Sequence, residues 1–504
     1  MRKRNEVLQA VGGVFCLVVG AFLALYPTRR YAERRYVVDA ASCRMDLLMV
    51  TRADLPAEPD TGAVVLFHGI AANKIIMQYL ARSFAELGVR VFIPDLPGHG
   101  RSPGPFSPQL AESCSVSLLR GLAARGMLVP SRTILAGHSM GGAIALRVAD
   151  KFRPAGVIAI SPAPMTPGHG VASENLLYHT LPLLTPNTLI LVGQLEPGRI
   201  RENAADLAGS PTGWVKLEQV PSNTHTTMLF SPTVARQSQQ WVARLLSLQD
   251  NARLPMRWNF VACLLGIAGL LLIGGPFLRE MVGKKAEVDL QTAHTVPWIR
   301  GAVEVALFSL VAVQILHYVQ PLRVLHLYQG DYLAGLLLIV GLGLVLLHLK
   351  AARQGVRTHA GLLLGAAVAA ILVHFLITGW FELTASGAWL NLERWERFPL
   401  FAAAAFLYFY GIELIAGPVV NPSKRYGFWL LLGVIAWLPM VSGVLYLRTG
   451  EFLPVILSPF FALQALLAGL GIQLVRRESG SPTAAAVFGA ILLAGFCLVL
   501  FPLT

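Results

Sequence analysis

Nine long apolar runs do most to limit what this chain of 504 residues can fold into. A helix needs about 20 mostly apolar residues to cross the hydrocarbon core of a bilayer, and each run comes close to that length. One run occupies 7–26, and eight more lie at 258–278, 301–319, 332–349, 360–380, 399–417, 427–447, 453–475 and 483–503. The sequence therefore predicts an all-α transmembrane bundle of about nine spans, one N-terminal and eight C-terminal.

The first run follows three basic residues, as the hydrophobic region of a signal peptide does. It is longer than the usual length of that region, which is about 7–15 residues, and no clear small-residue cleavage site follows it. We therefore interpret residues 1–35 as a retained transmembrane anchor rather than a signal peptide.

The distribution of charge separates a soluble domain from the membrane-spanning part. Residues 36–250 contain 17 Lys or Arg and 15 Asp or Glu, whereas 251–504 contain 17 and 11, placed between apolar runs. We predict a soluble domain at 36–250 and a polytopic transmembrane domain at 251–504. The net charge of +13 lies mainly outside the soluble domain, so the sequence does not favour nucleic acid as a partner. The 55% hydrophobic content also excludes a disordered chain.

Basic residues in the short loops predict the orientation of the chain, because cytoplasmic loops are enriched in Lys and Arg. Alternate loops contain eleven basic residues, and the intervening loops contain only four, Arg323, Arg394, Arg397 and Arg448. Counting spans back from the eleven-residue side puts 36–250 outside the cytoplasm, in a plasma or inner membrane. Four arginines just beyond the first span do not fit this orientation: Arg29, Arg30, Arg34 and Arg35. The eleven are Arg279, Lys284, Lys285, Arg300, Lys350, Arg353, Arg357, Lys424, Arg425, Arg476 and Arg477.

Apolar β-type runs alternate with helical patterns within the soluble domain. The strand candidates are Ala63–Phe67, Val89–Pro94, Thr133–Ala136, Val157–Ile160, Thr188–Val192 and Trp214–Val220. Such alternation predicts an α/β fold with a doubly wound, mostly parallel sheet between covering helices.

A serine motif lies between one of these strands and the helix that follows it. Gly137-His138-Ser139-Met140-Gly141 fits G-x-S-x-G, the pattern of a nucleophile elbow on a sharp strand-to-helix turn. Side chains at Gly137 and Gly141 would collide with neighbouring backbone in such a turn. We therefore predict Ser139 as a nucleophile, with the N–H of Met140 directed at the developing oxyanion.

Two further segments end predicted strands, Phe67-His68-Gly69-Ile70 and the PDLPGHGRS stretch at 94–102. Together with GHSMGG, in this order and spacing, they resemble the α/β-hydrolase superfamily, specifically its lipase, monoacylglycerol-lipase-like and serine-aminopeptidase-like branch. The resemblance covers roughly residues 40–250, and the transmembrane domain resembles no recognised family. It implies that the N–H of Ile70, or of Gly69, completes an oxyanion hole with Met140.

The family's chain order of nucleophile, acid and histidine implies roles for two later residues. Glu196 follows the predicted strand Thr188–Val192, where the family usually has an aspartate, and Asp206 is the alternative acid. His225 follows the last predicted strand and is the implied base. The resemblance therefore implies a triad of Ser139, His225 and Glu196.

Cysteine and histidine spacing gives no reason to expect a cofactor or a metal ion. The sequence has no C-x-x-C pair and no His/Cys cluster at metal-ligand spacing. Cys43 and Cys114 both lie in the soluble domain, and an extracytoplasmic location would permit a disulfide between them. The sequence does not show whether these two residues meet.

The expected substrate is a lipid or an acylated small molecule, cleaved at an ester, thioester or amide bond at the outer membrane face. Both ends of the soluble domain lead into predicted spans, and the connection Ser161–Asn187 is too short for a separate cap domain. A serine peptidase and an acyltransferase of the same fold remain alternatives. A transporter or lipid-handling protein with a non-catalytic hydrolase module is an alternative of a different class, and the glutamate at the acid position slightly favours it.

Overall fold

The computed structural model describes residues 2–40, 43–55, 61–163, 187–209, 215–250, 252–282, 297–355, 359–387, 389–417, 421–444 and 452–504. The chain forms two compact units, and each is assembled from separate stretches. The sheet unit contains Gly20–Cys263, Phe381–Trp389 and Pro502–Thr504. The helical unit contains Met1–Val19, Leu264–Trp380 and Leu390–Phe501.

An eight-stranded sheet is the centre of the sheet unit. Among the described residues its strands are β1 (Tyr31–Ala40), β2 (Cys43–Arg52), β3 (Ala63–Phe67), β4 (Arg90–Pro94), β5 (Thr133–His138), β6 (Gly156–Ile160), β7 (Thr188–Gly193) and β8 (Val215–Val220). Their order is β1-β2-β4-β3-β5-β6-β7-β8. The pairings of β1 with β2 and of β2 with β4 are antiparallel, and the others are parallel. The mostly parallel sheet that the sequence predicts is confirmed.

Helices cover this sheet and explain its apolar strands. The first helix of the chain is α1 (Arg2–Leu25), which is one of the apolar helices described below. The helices that cover the sheet are α2 (Gln78–Ala85), α3 (Pro108–Ala124), α4 (Met140–Phe152), α5 (Gly198–Ala208) and α6 (Pro232–Leu246). Every residue of β3 to β7 is buried. A parallel strand that is covered on both faces needs apolar side chains at successive positions, and this gives the continuous apolar runs seen in the sequence.

The first two strands form an antiparallel hairpin that the sequence prediction missed. β1 lies at the sheet edge, and the charged residues Glu33, Arg34 and Arg35 interrupt its apolar pattern. Charged side chains on an edge strand prevent it from pairing with another chain, but they also hide the strand from a search for apolar runs. The predicted start of the soluble domain, residue 36, lies inside β1.

Two sets of contacts attach this hairpin to the rest of the sheet unit. Cys43 of β2 and Cys114 of α3 form a disulfide with a Cα–Cα distance of 5.4 Å. The pairing that the sequence left open is therefore present. Arg30, just after α1, donates from Nε to Glu86 at 2.6 Å, and the Tyr31 hydroxyl donates to the same carboxylate at 2.5 Å. The chain is therefore fixed to the sheet unit within a few residues of α1.

The described residues include nine helices that are long and apolar enough to cross a membrane. Each overlaps one predicted run, so the predicted set of spans is confirmed as a set of apolar helices. After α1 they are α7 (Trp258–Val282), α8 (Trp298–Tyr318), α9 (Gly330–Leu347), α11 (Ala360–Thr384), α13 (Phe398–Ala416), α14 (Pro422–Ser442), α16 (Ser458–Ser479) and α17 (Pro482–Leu500). The shorter helices are α10 (Leu349–Gly355), α12 (Leu392–Trp395) and α15 (Phe452–Ile456).

Candidate active site

Ser139 occupies the turn between β5 and α4. Its backbone has φ 54° and ψ −118°, a conformation that residues other than glycine rarely adopt. Two hydrogen bonds hold the turn, from the N–H of Ser139 to the carbonyl of Ile160 (2.9 Å) and from the N–H of Ala143 to the carbonyl of Ser139 (3.1 Å). Helix α4 begins at Met140. The N–H groups of its first turn have no partner within the helix, and they are therefore suited to stabilise an oxyanion.

Two glycines allow the backbone on either side of Ser139 to approach closely. A Cβ atom at Gly137 would lie 2.2 Å from the carbonyl oxygen of Gly141, and one at Gly141 would lie 2.3 Å from that of Phe67. No side chain fits at either position without moving backbone. This close approach is the physical reason for both glycines of the motif, as the sequence predicts.

The oxyanion loop, which we define as His68–Ile75, runs beside the nucleophile. A Cβ atom at Gly69 would lie 3.3 Å from the Cβ of Ser139, and Ile70 follows directly in the chain. Nε2 of His68 accepts a hydrogen bond from the N–H of Leu96 at 2.9 Å, and Nδ1 lies 2.7 Å from the carbonyl oxygen of Gly69. Nδ1 must therefore carry the proton. Burial lowers the pKa of His68 and favours this neutral form.

His225 and Glu196 form a direct pair at the same end of the sheet. Nδ1 of His225 lies 2.8 Å from Oε2 of Glu196. The Glu196 side chain is fully buried, whereas that of His225 is 24% exposed. The hydroxyl of Ser161 donates to Oε1 of Glu196, so each carboxylate oxygen has one partner. Such a carboxylate orients the imidazole and stabilises its protonated form.

A second histidine packs against His225. The rings of His138 and His225 are 4.7 Å apart, and Nε2 of His138 lies 2.9 Å from the carbonyl oxygen of His225. Burial, together with the neighbouring His225, lowers the pKa of His138 to about 3. His138 is therefore neutral and donates to that carbonyl. Among the described residues, no hydrogen bond joins the Ser139 hydroxyl to His225, and in many hydrolases this bond tightens only when substrate binds.

The structure brings most of the predicted site residues together. Glu196, rather than the alternative Asp206, contacts His225, since Asp206 lies on the exposed face of α5. The sequence reasoning missed Ser161, which directly follows β6 and holds Glu196. A polar residue at the end of a buried strand was the available signal. Most of the connection Ser161–Asn187 falls on 164–186, outside the described residues.

Comparisons with known proteins identify the family that the sheet unit resembles. Residues 64–306 match the model of the alpha/beta hydrolase family, so the resemblance seen in the sequence motifs is confirmed. Esterase YjfP of Escherichia coli (strain K12) is 28% identical over 95 residues, which are 17% of this chain and 38% of that protein. The chain therefore matches less than half the length of this curated relative.

Two of the solved structures that this chain matches each cover less than half of it. An alpha-beta serine hydrolase homologue from Coxiella burnetii has 16% identity and a TM-score of 0.34, covering 42% of this chain and 96% of its own. A malate-bound thermophilic esterase from Thermogutta terrifontis has 18% identity and a TM-score of 0.32, covering 42% and 99%.

Proposed function

We propose, from the match of residues 64–306 to the alpha/beta hydrolase family, that this protein is an integral membrane serine esterase. The observation that carries the proposal is the pair of His225 and Glu196 at 2.8 Å, in which His225 packs against His138, the residue before a serine held at φ 54°. A strained elbow serine and a carboxylate-bound histidine are what acyl transfer needs, and neither is needed for binding alone. This contrast favours an enzyme over a non-catalytic module.

The proposed reaction has two steps. His225 accepts the proton of the Ser139 hydroxyl while the serine oxygen attacks the substrate carbonyl, and N–H groups of Met140 and of Ile70 or Gly69 stabilise the oxyanion. The alcohol leaves with the proton from His225 and an acyl-enzyme remains. Water, activated by the same histidine, then releases the acid. Glu196 stays ionised and stabilises the imidazolium in both steps.

We place the sheet unit on the extracytoplasmic face of the membrane. The excess of basic residues in alternate loops supports this orientation, although the four arginines after α1 do not. The bond between Cys43 and Cys114 gives independent support, because disulfides persist in oxidising compartments and are rare in the cytosol.

We propose a lipid or another acylated small molecule as the substrate. Apolar helices precede and follow the main stretch of the sheet unit, since α1 ends at Leu25 and α7 begins at Trp258. A catalytic unit attached at both ends to membrane helices would stay close to the bilayer, where acyl chains are concentrated.

The test uses membranes that contain the full chain or its Ser139→Ala variant. We expect a fluorophosphonate probe to label the wild type and not the variant, and lipid profiling to find one acylated class consumed only by the wild type. Ser113→Ala is the matched control, because Ser113 is exposed on α3 and should leave labelling unchanged.

Other outcomes would change the proposal in specific ways. Labelling of the wild type without any change in lipids would overturn the lipid substrate and favour a peptide or a soluble acylated molecule. Folded wild-type protein that is not labelled would overturn the serine mechanism.

A further inference from the structure

The oxyanion loop has a partner far away in the sequence. Phe381–Trp389 belongs to the sheet unit, although its neighbours on both sides belong to the helical unit. The side-chain amide of Asn73, in the oxyanion loop, binds the backbone of this segment through both its oxygen and its nitrogen. Its Oδ1 accepts from the N–H of Gly387 at 3.0 Å, and its Nδ2 donates to the carbonyl of Gly387 at 2.9 Å.

Further contacts make Asn73 a junction between the two segments. Its Nδ2 lies 3.1 Å from the hydroxyl of Ser386, and its Oδ1 also accepts from the N–H of Ile75 within the loop. Asn73 is only 5% exposed. One buried amide therefore ties the backbone of the oxyanion loop to the backbone of the 386–387 turn, and a buried polar group costs free energy unless its partners are present.

Neighbouring charges reinforce the same junction. The backbone N–H of Lys74 donates to Asp95 at 2.8 Å, and Nζ of Lys74 forms ion pairs with Asp95 and, at 2.7 Å, with Asp46. Glu382 accepts from Arg101 at 2.9 Å, beside the turn that contains Asp95. Both the loop and the segment Phe381–Trp389 thus contact the same strand-end turn.

The contacts at Asn73 lie close to a strained residue. Ala71 has φ 57°, a left-handed conformation that is unfavourable for a residue with a side chain. Ala71 directly follows Ile70, whose N–H is a proposed oxyanion donor. Strain of this kind persists only where surrounding contacts impose it, and the bonds of Asn73 lie two residues further along the loop.

We propose that Asn73 is a positioning residue for the oxyanion hole and that the segment Phe381–Trp389 holds the oxyanion loop in its catalytic conformation through it. This inference rests on the proposed esterase function. It gives the C-terminal end of α11, together with the residues that follow it, a role in the chemistry at Ser139. Oxyanion donors act only when they are fixed in advance, so loss of the junction should weaken transition-state stabilisation and not ground-state binding.

The variants differ in how many bonds they remove. Asn73→Ala removes every side-chain bond of the junction, whereas Asn73→Asp keeps the acceptor and loses the donor to Gly387 and Ser386. Gly387→Ala acts from the other side, because its Cβ atom would lie 3.1 Å from Oδ1 of Asn73. Asn187→Gly is the control: it removes a half-buried amide that donates to the carbonyl of Ala155 at the opposite ends of the strands, and its φ of 67° suits glycine.

The experiment measures steady-state hydrolysis of p-nitrophenyl butyrate by the full chain in detergent, together with inhibition by a trifluoromethyl ketone. We expect kcat to fall about 10- to 100-fold in Asn73→Ala, which is less than the cost of deleting an oxyanion donor, with KM changed by less than about threefold. The affinity of the ketone, whose adduct mimics the transition state, should fall by the same factor as kcat/KM. Gly387→Ala should show the same pattern. The kcat of Asn73→Asp should lie between the kcat of Asn73→Ala and that of the wild type.

The outcomes separate this inference from the proposed function. A wild type that neither reacts with the fluorophosphonate nor hydrolyses the ester would overturn both. An active wild type with Asn73→Ala and Gly387→Ala within twofold of its kcat would overturn the inference alone. An equal fall in kcat in Asn187→Gly would also overturn the inference, because it would indicate general destabilisation. A rise in KM without a fall in kcat in Asn73→Ala would overturn it as well, because it would indicate a binding role. If Asn73→Ala does not fold, Asn73→Asp and Gly387→Ala decide the question.

Discussion

Nδ1 of His225 lies 2.8 Å from Oε2 of Glu196, although the family motif usually has an aspartate at this position. The longer glutamate side chain has one more rotatable bond, and its second oxygen is held by the hydroxyl of Ser161. Ser161 itself has φ 45°, so the residue that fixes the acid is also in an unusual backbone conformation. The glutamate therefore acts in a setting that restricts its extra freedom.

Replacing this acid should reduce catalysis without preventing labelling entirely. In Glu196→Gln the imidazole loses its carboxylate, so we expect kcat for p-nitrophenyl butyrate to fall by about 10³- to 10⁴-fold. Asp206→Asn is the control, because Asp206 is exposed on α5 and Glu196 is the carboxylate bonded to His225, so the activity of this variant should equal that of the wild type. The reverse result would assign the acid to Asp206.

Alanine at Gly137 should disrupt the elbow. The new Cβ atom would lie 2.2 Å from backbone, and overpacking of this kind costs about 1–3 kcal/mol or more in unfolding free energy. We expect Gly137→Ala to lose fluorophosphonate labelling and to melt at a lower temperature. Gly198→Ala is the control, since a Cβ atom there would lie 3.6 Å from its nearest neighbour in α5. Full labelling of Gly137→Ala would contradict the elbow geometry.

The buried His138 should make the sheet unit sensitive to acid. Its pKa is lowered to about 3 in the folded chain, against about 6.5 in the unfolded chain. Between these values the unfolded chain binds a proton that the folded chain does not, so stability falls as the pH falls from about 6.5 towards 3, by up to roughly 1.4 kcal/mol per pH unit. Above about 6.5 the histidine is neutral in both states and has no such effect. His138→Gln should therefore lose less stability than the wild type between pH 7 and pH 4.5, measured by urea unfolding, and equal losses would argue against this assignment.

The disulfide should contribute strongly to the stability of the sheet unit. It joins residues 71 positions apart, and loss of a native disulfide typically costs about 2–5 kcal/mol in small secreted domains. We expect a Cys43→Ser, Cys114→Ser double variant to unfold at lower urea concentration than the wild type.

The same pair reports on the compartment. In a chain whose other cysteines, Cys16, Cys263 and Cys497, are replaced by alanine, a maleimide reagent should react only after reduction. Reaction of unblocked membranes with maleimide before reduction would contradict the extracytoplasmic orientation.

Much of the sheet unit could be predicted from local patterns. The five strands with continuous apolar runs were found because burial on both faces leaves a simple signature, and the glycines around Ser139 predicted the strand-to-helix elbow at this residue. Glu196 and His225 could be assigned only through the order of the family's motifs. The edge strand β1 was missed, since its charges belong to a half-solvated surface.

Contacts between residues distant in sequence were beyond prediction. Neither the pairing of Cys43 with Cys114 nor that of Asn73 with Gly387 has a local signature, because each depends on how the chain returns to the sheet unit. The position of Ser161 after a strand does not by itself identify Glu196 as its partner. Such residues are recognised only once their partners are in place.

The sheet unit is assembled from three stretches that lie far apart in the sequence, and this has a consequence for how the protein is made. A ribosome completes residues 20–263 long before it reaches Gly387, and it reaches Leu503, which pairs with the backbone of Gly98 and Phe106, later still. A nascent chain therefore contains Ser139, His225 and Glu196 while the partner of Asn73 has not yet been synthesised. If the junction acts as we propose, hydrolysis reaches its full rate only after five of the nine described apolar helices have been translated, and a chain abandoned before Gly387 would be a poor esterase.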